Sequence, residues 1–345
     1  MNIFLTAGGT GGHIFPAVAF GQWLGGEKNT SSIYYICGNR SLELEIYRHS
    51  GIEPLILPIE GSPFGISSFF NKIKRTFNML RSCIYMFYLI KKFKPDACFM
   101  FGGYVSFPAL LACTVVGVPV VVHEQNAVAG RVVRLAQKIG KLVVKSWNSE
   151  TSNVPVREFL LWGRQAAFEK LDISNRWIDS RIIGIFGGSL TSRALINVLH
   201  TVVKSFPDDL FLVLSEKEGI ESKNALFIGR QWDINPVLSI VDLVVCRGGA
   251  STLAELEAYN ISTVVVPWEK SSDDHQAANA ERFSEITGNY VLRENQDAEQ
   301  LIRLISLSFN RQREKKSGAH DQASLNLFRA FEDKYGTGRK YERTV

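Results

Sequence analysis

Residues 1–16 read MNIFLTAGGTGGHIFP. A short apolar run, Ile3-Phe4-Leu5, feeds straight into Gly8-Gly9-Thr10-Gly11-Gly12 and His13. Pro16 is then placed to open a helix through Ala17, Val18, Phe20, Trp23 and Leu24. A strand, a glycine turn and a helix in that order direct free backbone N–H groups, and the positive end of the helix dipole, at one point. That point suits a phosphate or another anion. Glycine serves where the backbone takes positive φ or comes close to a ligand, because a Cβ would clash. Tight strand–helix packing explains one glycine pair. Two pairs followed by a histidine point to anion binding or to stabilisation of a reaction intermediate.

The bulk composition bounds the rest. At 345 residues, 46% hydrophobic and 21% charged, the chain is globular and long enough for two domains with separate cores. The net charge of +5 is mild and no nucleic-acid motif accompanies it, so no nucleic-acid partner is expected. Cys37, Cys83, Cys98, Cys113 and Cys246 are odd in number, widely spaced and mostly in apolar runs. They read as reduced core residues of a cytoplasmic protein. No basic segment precedes an apolar stretch at the N-terminus, so no secretory signal is expected. The longest apolar run, Cys83 to Ile90, is far short of the roughly 20 residues of a membrane span.

Short β-rich runs alternate with helical patterns. Strands are expected near 2–5, 32–37, 96–100, 119–122, 142–146, 181–186, 210–215, 242–246 and 263–267. Helices are expected at 16–25, 67–92, 106–116, 190–204, 251–259 and 275–286. Runs such as Val118-Pro119-Val120-Val121-Val122 and Thr263-Val264-Val265-Val266 read as strands buried on both faces of a parallel sheet. Each half also repeats a strand–glycine–helix pattern, at Gly8-Gly9 and Gly187-Gly188. A second glycine pair follows in each, at Gly102-Gly103 and Gly248-Gly249. In open α/β sheets, ligands collect at the carboxyl ends of strands. The expected class is therefore α/β, with two Rossmann-like, doubly wound parallel-sheet domains facing each other across a cleft. The irregular stretch 147–180 holds the junction, dividing the chain into 1–157 and 158–345. The helical pattern of Leu325, Phe328 and Phe331 closes the charged tail, and this last helix is expected to pack back on the first domain.

The polar clusters narrow the chemistry. A dinucleotide fingerprint is broken at Gly9-Thr10-Gly11-Gly12-His13, and the next strand ends in Cys37-Gly38-Asn39-Arg40 without the acidic residue that would hold a ribose. No Walker lysine follows any glycine loop. Gly248, Gly249, Ala250, Ser251 and Thr252 start a second anion-binding helix, with Glu255 one turn further in. A carboxylate there can accept hydrogen bonds from the vicinal hydroxyls of a ribose; the plainer alternative is a solvated helix glutamate. Gln276 and Asn279, at i and i+3, share a helix face where amides suit sugar hydroxyls, beside capping by Asp274. Strand 119–122 ends in His123-Glu124-Gln125-Asn126, four polar residues at a strand's carboxyl end.

The stretch Gly61–Pro95 carries seven basic residues, no acid and eight aromatics. Phe70, Ile73, Phe77, Leu80, Ile84 and Phe87 recur at helical spacing, and this stripe by itself reads as core packing. Lys72, Lys74, Arg75 and Arg81, with no acid among them, read as a surface for an anionic membrane.

Together the motifs resemble glycosyltransferase family 28 of the GT-B fold, the peptidoglycan N-acetylglucosaminyltransferases. The resemblance spans nearly the whole chain. It rests on Ala7 to His13 with Phe15-Pro16-Ala17, Gly102-Gly103-Tyr104-Val105-Ser106, His123-Glu124-Gln125-Asn126, Pro155-Val156-Arg157, Gly187-Gly188-Ser189, and Cys246-Arg247 before Gly249-Ala250 and Glu255. Leu190-Thr191-Ser192-Arg193 departs from the family's usual Gln-Gly-Ala-Arg, Phe107-Pro108 stands where small residues are usual, and Asn260 and Ser262 replace a glycine and a proline.

The resemblance implies transfer of GlcNAc from UDP-GlcNAc to the C4 hydroxyl of MurNAc in undecaprenyl-diphospho-MurNAc-pentapeptide (lipid I), forming lipid II. It assigns the donor to Thr10, Gly11, Gly12, Asn126, Arg157, Gly188, Ser189, Gly249, Ala250, Ser251, Thr252, Glu255, Gln276 and Asn279, with Glu255 on the ribose. It assigns the acceptor to Gly102, Gly103, Tyr104 and His123. The general base is His13 or Glu124. An α-linked donor and a β-linked product imply a single inversion, with the departing UDP held by helix starts and Arg157. The chain has no D-x-D triplet, so neither metal nor cofactor is expected. The implied location is the cytoplasmic face of the inner membrane, held peripherally. Alternatives are another GT-B enzyme using UDP-GlcNAc, such as a 2-epimerase, or an inactive nucleotide-sugar-binding scaffold.

Overall fold

The computed structural model describes residues 1–26, 32–62, 69–147, 150–187, 193–215, 222–268, 275–293, 297–311, 313–318 and 320–336. The first half runs β1 (Asn2–Thr6), α1 (Gly11–Gly26), β2 (Ser32–Cys37), α2 (Ser41–His49), β3 (Leu55–Ile56), α3 (Phe69–Phe93), β4 (Ala97–Met100), α4 (Ser106–Val116), β5 (Val120–Glu124), α5 (Arg131–Lys138) and β6 (Leu142–Lys145). The second begins with α6 (Arg164–Lys170), β7 (Ile182–Phe186), α7 (Arg193–Ser205), β8 (Leu210–Val213), β9 (Ala225–Phe227) and α8 (Asn235–Ile240). It continues with β10 (Leu243–Cys246), α9 (Ala250–Ala258), β11 (Thr263–Val265), α10 (His275–Thr287), β12 (Tyr290–Val291), α11 (Ala298–Phe309) and α12 (Gln322–Tyr335).

Each half holds a six-stranded sheet, ordered β3-β2-β1-β4-β5-β6 and β12-β11-β10-β7-β8-β9. All the pairings are parallel. Counted from its own first strand, the second sheet has the same order as the first, the doubly wound Rossmann arrangement. Helices cover both faces, so β4, β5, β7, β8, β10 and β11 are buried along their whole length. This is why those strands are continuous apolar runs. Each fully buried Val or Ile contributes roughly 1.5–3 kcal/mol.

The strand order reverses between β1 and β4 in one sheet and between β7 and β10 in the other. The four glycine pairs of the repeated pattern, Gly8-Gly9, Gly102-Gly103, Gly187-Gly188 and Gly248-Gly249, come directly after those four strands in the sequence, so glycine pairs stand at both topological switch points. Gly103 shows why no larger residue stands there. Its φ is +81°, and a Cβ on it would lie 2.2 Å from the carbonyl oxygen of Gly8.

Three features differ from the sequence reading. Helix α1 starts at Gly11 and contains Pro16, because the glycine turn already winds: His13 and Ile14 N–H donate to the Thr10 carbonyl at 3.1 and 3.3 Å. Strands β3, β9 and β12 are two or three residues long, too short to show an alternating pattern.

The third difference is α3. The face of α3 turned to the core is Met79, Ser82, Cys83, Met86, Leu89 and Ile90. The stripe expected in the core is instead at the surface: Phe70 is 82% exposed, Ile73 52%, Phe77 60%, Leu80 59% and Ile84 70%. Only Phe87 of that series packs against the core. The helix has two apolar faces, and periodicity cannot say which one meets the sheet.

After the second sheet the chain returns to the first. Phe159 and Gly318 pair backbone to backbone in both directions, at 3.1 and 2.8 Å, where the outgoing and returning segments pass. Helix α12 then docks on the first sheet. Leu327 and Phe331 are buried there, Phe331 lies 5.4 Å from the Phe99 ring, and the Tyr335 hydroxyl donates to the Val120 carbonyl at 2.9 Å.

Candidate active site

The two switch points face each other, and the starts of α1 and α9 meet between them. A Cβ built on Gly12 would stand 3.8 Å from the Ser251 hydroxyl oxygen across the cleft. Neither helix carries an acidic residue in its first turn, and no side chain caps α9 at Gly249. Two sets of unneutralised N–H groups and two positive dipole ends are therefore directed at one region from opposite halves of the protein. Ala250 and Ser251 are buried there, Gly12 and Thr252 half-buried, and Thr10 exposed.

His13 lies beside this junction. Its Nδ1 is buried and has no hydrogen-bond partner. A Cβ on Gly102 (φ +103°) would come within 2.8 Å of that nitrogen, so this glycine makes room for the ring. Burial holds the pKa of His13 below its usual 6.5 and His275 pushes the same way, against the Glu124 charge, the Gln125 side chain and the Phe101 carbonyl. The imidazole is thus neutral near pH 7 and keeps a lone pair for a proton.

Glu124, the other candidate base, has its oxygens occupied. Oε1 accepts from the Asn126 N–H (2.9 Å) and side-chain amide (3.1 Å), and Oε2 accepts from the Gly130 N–H at 2.7 Å. The chain of bonds continues across the cleft. Asn279 Nδ2 donates to Asn126 Oδ1 at 3.2 Å and to the Gly248 carbonyl at 3.0 Å, while its Oδ1 accepts from the Ala127 N–H at 2.8 Å. Asn126 and Asn279, expected to read the donor, form here a bridge between the halves, their amides bonded to each other, to the Glu124 carboxylate and to backbone. Gln276 is half-buried and its Oε1 accepts from the Trp268 N–H at 3.0 Å.

Other expected residues are placed differently. His123 is buried (1% exposed), with Nε2 3.2 Å from the Asn153 carbonyl and 3.3 Å from Ser146 Oγ, because strand alternation turns it away from Glu124 and into the fold. Tyr104 donates its hydroxyl to the Glu43 carboxylate. Glu43 is fully buried and also accepts from the Gly38 N–H at 2.8 Å, which makes it a strut behind the first glycine loops.

Arg157, expected at a diphosphate, is paired with Glu255. Its Nε and Nη2 lie 2.8 and 2.7 Å from Oε1. Its guanidinium carbon lies 4.0 Å from the centre of the Phe15 ring, and its backbone carbonyl accepts from the Tyr259 hydroxyl. Beside it, a cavity of about 630 Å³ opens between α1, α2 and residues 232–235, where the His49 and Trp232 rings stack at 4.4 Å. Gly188 and Ser189, with Leu190, Thr191, Ser192 and Asp274, lie outside the described residues. Among the described residues, no group of three or more His, Cys, Asp or Glu side chains could hold a metal ion.

The comparisons with known proteins bear on this geometry. Residues 3–144 match the glycosyltransferase family 28 N-terminal domain and residues 182–333 its C-terminal domain. A relative from Magnetococcus marinus is 31% identical, over 86% of this chain and 85% of its own. The chain belongs to glycosyltransferase family 28. That relative is named UDP-N-acetylglucosamine–N-acetylmuramyl-(pentapeptide) pyrophosphoryl-undecaprenol N-acetylglucosamine transferase. A Pediococcus pentosaceus protein of the same name is 28% identical, over 97% of this chain and 98% of its own. Among solved structures, Acinetobacter baumannii MurG superposes with a TM-score of 0.65 at 22% identity, covering 96% of this chain and 99% of its own. A Listeria monocytogenes structure titled as a UDP-N-acetylglucosamine 2-epimerase reaches 0.61 at 12% identity, covering 100% and 99%. These two similarities show that the GT-B fold is shared.

Sequence reasoning missed Glu43, whose only signal is an acid in the short helix Ser41-Leu42-Glu43-Leu44-Glu45, and Trp232, which carries none. The buried histidine predicts a pH dependence. Burial pushes the pKa of His123 down to about 4. The unfolded chain, with a pKa near 6.5, binds the proton more readily, so stability is fully present above that value and is lost as pH falls towards 4. Between pH 7 and pH 4 the wild type should lose about 3 kcal/mol more than His123→Gln, read from denaturant midpoints. Equal losses would place the titrating group elsewhere.

Proposed function

We infer that the protein transfers GlcNAc from UDP-GlcNAc to the C4 hydroxyl of MurNAc in undecaprenyl-diphospho-MurNAc-pentapeptide, with inversion, forming lipid II. The observation that carries the chemistry is the neutral His13, its Nδ1 unpartnered, beside two open helix starts from opposite halves. In this reading His13 Nδ1 takes the proton of the C4 hydroxyl as its oxygen attacks the anomeric carbon. The bond from that carbon to the UDP β-phosphate oxygen breaks, and the charge developing on UDP falls between the α1 and α9 N-termini. Glu124 then acts indirectly: its charge sits near His13 and its oxygens shape the loop to Gly130. Glu255 holds the ribose. Gly102 and Gly103 border the acceptor side.

The deciding experiment is incubation of the protein with labelled UDP-GlcNAc and a lipid I analogue in buffer containing EDTA. A disaccharide product is expected; release of free sugar without acceptor, or no turnover until Mg²⁺ is added, would refute the reading. His13→Gln should lower kcat by about 10²–10⁴-fold while still binding UDP. Loss of UDP affinity in that variant would move the histidine from catalysis to donor binding.

Glu255→Ala should raise KM for UDP-GlcNAc by about ten- to a hundredfold, the cost of roughly 1.5–3 kcal/mol for losing hydrogen bonds to a charged group. An unchanged donor KM would put the ribose elsewhere.

The acceptor is a lipid, and α3 offers a surface for it. Among the described residues no helix is long and apolar enough to cross a membrane. The exposed stripe Phe70, Ile73, Phe77, Leu80 and Ile84 is flanked by exposed Lys72, Lys74 and Arg81, and α4 adds exposed Val115 and Val116. Arg75 is half-buried, its Nη1 donating to the Ser62 carbonyl at 3.1 Å. Apolar side chains ringed by bases suit peripheral binding at the anionic cytoplasmic face of the inner membrane. Each base contributes roughly 1 kcal/mol there, screened by salt. Replacing Lys72, Lys74, Arg75 and Arg81 with Gln should release the protein from anionic vesicles and leave turnover of a short-chain soluble acceptor nearly intact. Unchanged vesicle binding would mean that the bases form an ordinary solvated surface.

A further inference from the structure

One side chain touches both the donor-side ion pair and the start of the helix that carries His13. The Phe15 ring lies under the Arg157 guanidinium, 4.0 Å from ring centre to guanidinium carbon, and Arg157 in turn grips Glu255 Oε1 through two nitrogens. The same ring also meets the first residue of α1. A Cβ on Gly11 would stand 2.7 Å from the ring, so the aromatic edge occupies the space a side chain would fill there. Two residues on is His13, whose N–H closes the turn onto the Thr10 carbonyl at 3.1 Å. Glu255 is on α9, Arg157 in the segment joining the two sheets and Phe15 on α1. The contact series therefore crosses from the second half to the first.

We propose that Phe15 is a positioning residue: it transmits occupation of the donor site, through Glu255 and Arg157, to the placement of His13. The proposal rests on Glu255 as the ribose ligand and His13 as the base. When ribose hydroxyls hydrogen-bond Glu255, the carboxylate's hold on Arg157 is redistributed, and the guanidinium shifts over the ring. The ring is a flat, polarisable face that attracts the cation, and its edge fills the space beside Gly11. A displacement of the guanidinium therefore bears on the first turn of α1 and on the angle at which the imidazole meets the acceptor. Leucine fills a similar space and lacks the face; tyrosine keeps it.

Three measurements on the intact protein test this. Phe15→Leu should lower kcat about tenfold, in keeping with the steep dependence of catalysis on alignment. Its calorimetric affinity for UDP should stay within about twofold of wild type, and Phe15→Tyr should restore kcat. In an Arg157→Gln background, Phe15→Leu should cost little more, because the contact it removes is already gone. Losses that multiply in the double variant, equal losses in the Leu and Tyr variants, or a Leu variant that unfolds or loses UDP affinity would each overturn the proposal.

The third measurement does not depend on turnover, and so separates failure here from failure of the proposed reaction. Addition of UDP should shift the His13 imidazole resonance in wild type and leave it nearly unmoved in Phe15→Leu. The same shift in both proteins would refute the coupling even if the enzyme proves active.

Discussion

Backbone can come this close to backbone at the two switch points only because no side chain intervenes. A Cβ on Gly103 would sit 2.2 Å from the Gly8 carbonyl oxygen, and one on Gly248 would sit 2.2 Å from that of Gln276. These contacts hold the Gly102-Gly103 loop against the Gly8 turn and the Gly248 loop against the start of α10. The N–H groups of α1 and α9 are left facing the cleft, where a bulkier loop would have covered them. The remaining features of the site are arranged around that opening. Gly102 admits the His13 ring, Glu43 braces the loops from behind through Gly38 and Tyr104, and Glu124 ties the strand end to Gly130.

The halves meet through polar contacts. Asn279 alone makes three hydrogen bonds that join α10, the loop after β10 and the loop after β5. Ser152 donates to Glu257 at 2.9 Å, and Arg157 links Glu255 to Phe15. Bonds of this kind each contribute only about 0.5–1.5 kcal/mol net, yet leaving any one of their buried groups unpaired costs more. Such an interface specifies one relative placement of the two switch points without the large apolar area that would make it permanent. Permanence comes from elsewhere, from the paired crossings at Phe159 and Gly318 and from α12 returning to the first core.

Helix α3 separates two uses of apolar surface within a single element. Its Met79, Cys83, Met86 and Ile90 face fills the core beneath the sheet, and its Phe70, Ile73, Phe77, Leu80 and Ile84 face remains at the surface. A contiguous exposed apolar strip of this kind is rare on the surface of a monomeric globular fold. The basic side chains beside it restrict what that surface can meet.

Much of the architecture was legible in the chain itself. Val120-Val121-Val122 and Val264-Val265 could only be strands covered on both faces, and four glycine pairs after four such strands implied two doubly wound sheets. A helix after each glycine turn, the histidine beside the first and Glu255 one turn into the second all followed from local order, whereas the start of the first helix at Gly11, ahead of Pro16, did not. Local rules decide these features, since propensity, strand burial and the need for glycine act over a few residues. Which partner each polar side chain found was decided by the tertiary structure. Asn279 could read a sugar or bridge to Asn126, His123 could face the cleft or the core, and the α3 stripe could be buried or bare. In each case the residue type permits both, and the outcome depends on groups distant in the chain: 23 positions between His123 and Ser146, brought together within the first sheet, and 153 between Asn126 and Asn279, brought together only where the two halves meet.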